Sequence, residues 1–278
     1  MLDRPVFVVG SVRSGTALLA RSLGAHPALH YVINTDPELF DDWIHIGCAP
    51  MRETCPTLGP DAVTPEVRDA LHRHFAALLA REATDGRFLN KNPHLWNKLG
   101  YLRAIFPDAA LVVTSRDMRS TVASTKRMFE SHARNRSLIH RLPAEPGTCW
   151  RILPARDEHS ASDPEVVRRT FPGGDVRVIA EYWLRVYATI ETERTGFDSV
   201  AVVRHRDFVE APESTLDRVA TALSIEPRSV ELPDVIRRGR NTRWRELLDD
   251  REQRDLEIFI AEHADRIAAL RCADTTLA

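Results

Sequence analysis

The chain is poor in cysteine and has no long apolar run. Its 278 residues include only Cys48, Cys55, Cys149 and Cys272, with no CxxC pair. No histidine pattern of the zinc-binding type lies near them, so we expect reduced thiols and no metal site. No stretch approaches the ~18 apolar residues of a membrane span. The first predicted strand begins within a few residues of Met1, which leaves no room for a signal peptide, and we expect a cytoplasmic enzyme.

The chain also lacks a strong charge of either sign. Its formal net charge is −2, so long-range attraction to nucleic acid or to an anionic membrane is not expected. Any site for an anion must therefore be built locally. With 43% hydrophobic residues and no recognisable linker or repeat, residues 1–278 are expected to form a single domain.

Short apolar runs alternate with helical patterns along most of the chain. This alternation is typical of an α/β fold, here a P-loop-like parallel sheet with helices on both faces and ligands at the carboxyl ends of the strands. The predicted strands are 5–10, 29–33, 87–91, 110–115 and 199–204. The predicted helices are 16–25, 65–84, 95–105, 118–130, 177–195, 212–224 and 249–271.

The most informative stretch follows the first strand. Val6 to Val9 lead into Gly10, Ser11, Val12, Arg13, Ser14, Gly15 and Thr16, and a helix then opens. The glycines allow a tight turn, and the N–H groups of Ser14 to Ala17 point toward the loop at the positive end of the helix dipole. The stretch therefore predicts a phosphate or sulfate cradle. It is nearly a Walker A loop, but the Lys before the hydroxyl residue is missing and a cation, Arg13, comes earlier.

A second cluster of polar residues follows the strand predicted at 110–115. Arg116 leaves the end of that strand, and Ser124 lies two helical turns further on, on the same side. A guanidinium fork and a hydroxyl suit a phosphate monoester. Arg13, Lys91 and Arg116 all lie at or just beyond predicted strand ends.

These segments resemble the PAPS-dependent sulfotransferase family, in particular its bacterial-type branch that is similar to tyrosylprotein sulfotransferases. The first loop resembles the motif P-[KR]-S-G-T, with Val12 in place of Pro, and 116–124 resembles R-D-P-R-x-x-x-x-S, with Met118 in place of Pro. Three more segments extend the likeness: 90–93 resembles N-K-x-P, 202–216 the V-R-Y-E-D-L…P element, and 237–244 the C-terminal R-K-G-x-x-G-x-W loop.

The resemblance implies a donor, a reaction and a set of residues. The donor is 3′-phosphoadenosine 5′-phosphosulfate (PAPS), and its sulfuryl group passes in line to a hydroxyl or amine. The implied donor-binding residues are Arg13, Ser14, Gly15, Thr16, Ala17, Arg116, Ser124, Arg238 and Gly239; Arg13 and Lys91 lie near the transferring group. The resemblance also implies that an acidic residue soon after the first helix is the general base. Glu38 is the preferred candidate, Asp36 is the second and His45 is the third.

The acceptor is the least determined part. Residues 131–176 are rich in arginine and broken by prolines, which is typical of a lid or of an insertion that binds an anionic acceptor. We expect a small-molecule, glycan or lipid-linked acceptor; the oligomeric state is not readable. Two alternatives stay open. One is a small-molecule kinase of the P-loop type, although this chain lacks the lysine that such a kinase has before the hydroxyl residue at Thr16. The other is a nucleotide-binding protein without catalytic activity.

Overall fold

The protein is described as a computed structural model. The structure describes residues 2–32, 57–81, 85–134, 138–141, 151–154, 175–228, 230, 232, 236 and 242–275. The strands are β1 Val6–Val9, β2 Leu29–Tyr31, β3 Arg87–Lys91, β4 Ala110–Ser115, β5 Leu138–Arg141, β6 Arg151–Pro154 and β7 Ser199–Arg204. The α-helices are α1 Thr16–Gly24, α2 Pro65–Arg81, α3 Leu99–Ile105, α4 Met118–Arg134, α5 Val176–Glu193, α6 His205–Glu210, α7 Pro212–Ala222, α8 Trp244–Leu247, α9 Asp250–Glu262 and α10 Ala264–Ala268.

Five strands form one parallel sheet in the order β2-β3-β1-β4-β7. The strand β1 lies at its centre, with β3 on one side and β4 on the other. The chain thus moves to opposite sides of β1, and such a switch point opens a crevice at the carboxyl ends of the strands. Those ends carry the predicted phosphate loop, Lys91 and Arg116, so the sheet brings all three into one region. The predicted α/β class is confirmed.

Successive residues of β1 face opposite layers of the core. Phe7 and Val9 join one buried cluster, whereas Val6 and Val8 join the other. This is the two-residue period of a strand, and both faces are apolar because helices cover both. The second cluster includes Leu19 of α1, among others. In the described part of the chain, no helix is both long enough and apolar enough to cross a membrane.

Two predicted helices are interrupted. The helix predicted at 95–105 is a short 3-10 turn, Leu95–Asn97, followed by α3, because Lys98 leaves helical geometry at φ −137° and ψ 18°. The helix predicted at 249–271 is divided into α9 and α10 at His263, which has φ −115° and ψ 17°. The ring of His263 stacks on Phe259 at 4.2 Å, a local contact that the apolar stripe did not reveal.

The segment 131–176 is described only in part. Its described residues include the end of α4 and an antiparallel pair formed by β5 and β6. That pair was not predicted from the sequence. The proposed role of the segment in acceptor binding stays a prediction.

Candidate functional site

The loop between β1 and α1 has the tight turn that its glycines predict. Gly10, Arg13 and Gly15 have positive φ values of 152°, 63° and 97°. A Cβ on Gly10 would lie 2.3 Å from the carbonyl oxygen of Thr114 in β4, so the loop passes too close to the neighbouring strand for any side chain at that position.

The side chain of Ser14 points into the protein and holds the loop in shape. Its hydroxyl donates to the carbonyl oxygen of Ser11 at 2.5 Å and lies 2.9 Å from the hydroxyl of Thr114. The Ser14 backbone N–H also donates to the Ser11 carbonyl, at 3.2 Å. Ser14 therefore fixes the shape of the loop through bonds within the protein. The donors left for a bound anion are the first N–H groups of α1, which have no acceptor within the helix.

A buried tyrosine supports the loop from below. The hydroxyl of Tyr187, in α5, donates to the carbonyl oxygen of Thr114 at 2.8 Å and accepts from the N–H of Ser11 at 3.4 Å. Burial raises the pKa of Tyr187, so it stays neutral and can donate and accept at once. Sequence reasoning missed this residue, since a tyrosine in an apolar helix stripe gives no sign of such a contact.

Lys91 ends β3 directly beside the loop. In the sheet it is paired with Val8 of β1, and the N–H of Asn92 donates to the carbonyl oxygen of Val8 at 3.2 Å. Lys91 is half-buried. Desolvation, with a smaller contribution from the nearby charge of Arg21, lowers its pKa. The position and charge suit the stabilisation of an anion at the loop.

The second predicted cluster continues as a polar stripe along α4. Arg116 is fixed at the end of β4, where its carbonyl oxygen accepts from Nε1 of Trp183 at 3.1 Å. Asp117 starts the helix by accepting from the N–H of Ser120 at 2.8 Å. Arg116 precedes α4, and Ser120, Ser124, Arg127 and Ser131 follow it along the helix at helical spacing, so one face of α4 is rich in arginine and serine side chains.

The loop and this stripe meet at one cavity of about 470 Å³, within the usual range for small-ligand sites. Nε of Arg13 donates to the hydroxyl of Ser124 at 3.1 Å, so residues from the two motifs touch. None of the described residues that line the cavity is acidic. They are Arg13, Arg116, Ser120, Ser124, Arg127, Met128, Ser131, Arg243, Trp244 and Leu247.

His205 also lies against the loop. It begins α6, at the carboxyl end of β7, and its Cδ2 would be 2.5 Å from a Cβ on Gly15. A side chain at position 15 would therefore collide with the imidazole as well as strain the backbone.

Five predicted site residues lie outside the described residues: Glu38, Asp36, His45, Arg238 and Gly239. Among the residues that are described, no group of three or more His, Cys, Asp or Glu side chains is placed to hold a metal ion. The cavity lining also includes Arg127, Ser131 and Arg243, none of which was named as a site residue; Arg127 and Ser131 lie beyond the 116–124 motif, and Arg243 lies within the 237–244 segment. The helical spacing of 116, 124 and 127 was the available signal for Arg127.

The comparison with protein families matches residues 5–142 to the sulfotransferase family. Protein-tyrosine sulfotransferase 1 of Danio rerio is 32% identical over 130 residues, which are 44% of this chain and 35% of that protein. The Homo sapiens protein of the same name is 31% identical over 130 residues, which are 44% of this chain and 34% of that protein. The matched part of the chain thus spans about a third of the length of these curated relatives.

Solved structures of similar fold cover nearly the whole chain. A sulfotransferase from Alicyclobacillus acidocaldarius gives a TM-score of 0.57 at 17% identity and covers 99% of this chain and 98% of its own. The sulfotransferase domain from the curacin biosynthetic pathway gives 0.54 at 13% identity and covers 95% of this chain and 98% of its own. At such identities the likeness shows a common fold.

Proposed function

We propose that this chain, of which residues 5–142 match the sulfotransferase family, transfers a sulfuryl group from PAPS to a hydroxyl or amine of a small-molecule, glycan or lipid-linked acceptor. The observation that carries this proposal is the meeting of the β1–α1 loop with the 116–124 segment at one cavity, through the contact of Arg13 with Ser124. We further propose that the protein works in the cytoplasm.

The residues of the cavity fit a nucleotide with phosphates at two positions. The loop offers backbone N–H groups and the positive end of α1 to the 5′ end of such a nucleotide. Arg116 and Ser124 offer a guanidinium fork and a hydroxyl to a 3′-phosphate. The lack of acidic side chains among the described lining residues favours an anion of high charge. Arg238 and Gly239 are proposed as further contacts.

The chain's own residues would supply charge and a proton acceptor. When bound, PAPS supplies a sulfuryl group held in a phosphate–sulfate anhydride. Lys91 and Arg13, together with the N–H groups at the start of α1, would stabilise the negative charge that grows on the leaving oxygen. A carboxylate or imidazole within hydrogen-bond reach must take the acceptor's proton.

The donor proposal is tested by calorimetric titration with adenosine 3′,5′-bisphosphate and with ATP. We expect the bisphosphate to bind about tenfold or more tightly than ATP, because only it has a 3′-phosphate for Arg116 and Ser124. Sulfated product should form from PAPS and a panel of phenols, alcohols, sugars and amines, with the same rate in a chelator as without it.

Other results would point to the alternatives. Preferential binding of ATP with strict Mg²⁺ dependence would favour a kinase and overturn the proposal. Tight binding of the bisphosphate without any sulfated product across the panel would favour a binding protein without catalysis.

The base is proposed to be Glu38, with Asp36 next and His45 after it. We expect Glu38→Gln to lower kcat by about 10²-fold or more while bisphosphate affinity is unchanged, because the variant keeps the shape of the side chain but cannot accept the proton. Asp36→Asn is the matched comparison. Full turnover in Glu38→Gln, Asp36→Asn and His45→Asn alike would show that the base lies elsewhere.

A further inference from the structure

The strand β7 forms an open edge of the parallel sheet. It stands last in the strand order and, among the described strands, pairs only with β4, in a regular register without a bulge. No backbone hydrogen bond from a described residue reaches the outer side of residues 199–203. The other edge strand, β2, has three residues, whereas β7 has six. A row of outer N–H and C=O groups along β7 is therefore open to a further strand.

The side chains of β7 also leave one face of this edge open. Ala201 and Val203 are buried in the second core cluster, and Val200 packs partly buried against the first. Val202 shares the face of Val200, but 39% of its surface is exposed, and Arg204 beyond it is exposed as well. Exposed strand edges are usually protected by proline, lysine or a bulge. Residues 199–203 have none of these, so another strand can pair with β7.

The sequence of β7 is complementary to itself when two copies run antiparallel. A two-fold axis perpendicular to the sheet keeps each face on its own side, so residues opposite one another share a face. With the axis at Ala201, Val200 lies opposite Val202 of the second copy. Asp198, which immediately precedes β7, then lies opposite Arg204 of the second copy. An axis one residue to either side would place a valine opposite a charged residue. Among these registers, only the first matches apolar with apolar and acid with base.

The two charged residues are available for such contacts. Asp198 and Arg204 are both exposed, and neither forms an ion pair or a side-chain hydrogen bond with any residue that the structure describes. The neighbouring Arg206, in contrast, lies 3.8 Å from the carboxylate of Asp207. The edge of the sheet thus carries one acid before the strand and one base at its end, and neither charge is neutralised by a described neighbour.

We propose that this edge pairs with the same edge of a second copy of the chain, with the two β7 strands antiparallel about a two-fold axis at Ala201. The two five-stranded sheets then join into one continuous sheet. Antiparallel pairing points the carboxyl ends of the two sheets in opposite directions, so each copy keeps its own cavity, and the inference does not depend on the proposed function. A six-residue strand is about 20 Å long, and so short an interface gives a dimer that dissociates on dilution.

Sedimentation velocity over a range of protein concentrations tests the proposal on the full chain. We expect a monomer–dimer equilibrium for the unaltered protein. Arg204→Glu brings two pairs of negative charges together across the axis, and Asp198→Lys brings two pairs of positive charges together. Each substitution is expected to weaken the dimer about tenfold or more. An equimolar mixture of the two variants should associate about as well as the unaltered protein, because each cross-strand pair in the mixed dimer is again of opposite charge. A misfolded variant could not produce this rescue.

Val202→Lys tests the apolar part of the same contact. It is expected to weaken the dimer about tenfold or more, because a charged amine would replace the contact with Val200 of the second copy. Ile258→Lys is the matched control, since Ile258 is 50% exposed but lies on α9. Arg254→Glu, also at an exposed position of α9, is the control for the charge reversal. Circular dichroism checks that every variant is folded.

Three results would overturn the proposal. The unaltered protein could remain a monomer at every concentration. The dimer could persist unchanged in Arg204→Glu and Val202→Lys, or be lost in Ile258→Lys alone, which would place the interface elsewhere. Finally, the mixture of folded Arg204→Glu and Asp198→Lys could fail to associate, which would exclude the register centred on Ala201.

Discussion

Lys91→Met is expected to lower kcat for sulfate transfer by about 10²- to 10³-fold, the usual loss when one preorganised donor to a developing anion is removed. Methionine keeps the unbranched shape of the side chain, so packing at this half-buried position should survive. The positive charge of Lys91 is expected to act mainly on the negative charge that develops on the leaving oxygen in the transition state. The affinity for adenosine 3′,5′-bisphosphate should therefore fall far less than kcat. Single-turnover rates and calorimetry measure the two effects separately.

The pH profile gives an independent check of the same role. Burial lowers the pKa of Lys91, and the charge of Arg21 lowers it further. Only the protonated amine stabilises negative charge, so kcat should fall on the alkaline side at a lower pH than an ordinary lysine would cause. Arg21→Gln removes the repulsion and should move this fall to higher pH with little change in the plateau rate. Full turnover in Lys91→Met would contradict the assignment.

Gly10→Ala is expected to destabilise the protein by roughly 2–5 kcal/mol, because a strained backbone and an overpacked contact each cost about 1–3 kcal/mol. The residue has φ 152°, and the new Cβ would lie 2.3 Å from the Thr114 carbonyl oxygen and 2.7 Å from its hydroxyl. Relief of these contacts would push the loop away from β4 and break the contact of Ser14 with Thr114, so bisphosphate binding should be lost as well. Urea denaturation followed by circular dichroism measures the stability.

Gly59→Ala is the matched control for this prediction. Gly59 has φ −100°, and no atom lies within 4 Å of a Cβ placed there. The same chemical change should therefore be neutral or stabilising by up to about 1 kcal/mol. Equal stability for Gly10→Ala and Gly59→Ala would show that the loop does not depend on its close approach to β4.

Much of the fold was predictable because its signals are local. The apolar runs of β1 and β4 and the glycine spacing after β1 depend on neighbours within a few residues. These local signals predicted that Arg13, Lys91 and Arg116 lie at or just beyond strand ends. In the structure β3, β1 and β4 are neighbouring parallel strands, so these ends lie at the same edge of the sheet. The breaks at Lys98 and His263 were not predictable from helical periodicity, since single residues with non-helical backbone angles interrupt otherwise regular patterns.

The sequence by itself determined the α/β class, the positions of the two predicted phosphate-binding segments and the types of side chain they carry. Only the tertiary structure decided which residues meet. Arg13 contacts Ser124 across 111 residues, Tyr187 supports the loop from another helix, and Arg243 enters the cavity from near the end of the described chain. Such contacts depend on the order of the strands in the sheet and on how the helices pack against it. Both are set by residues that are far apart in the sequence, so a local pattern does not predict them.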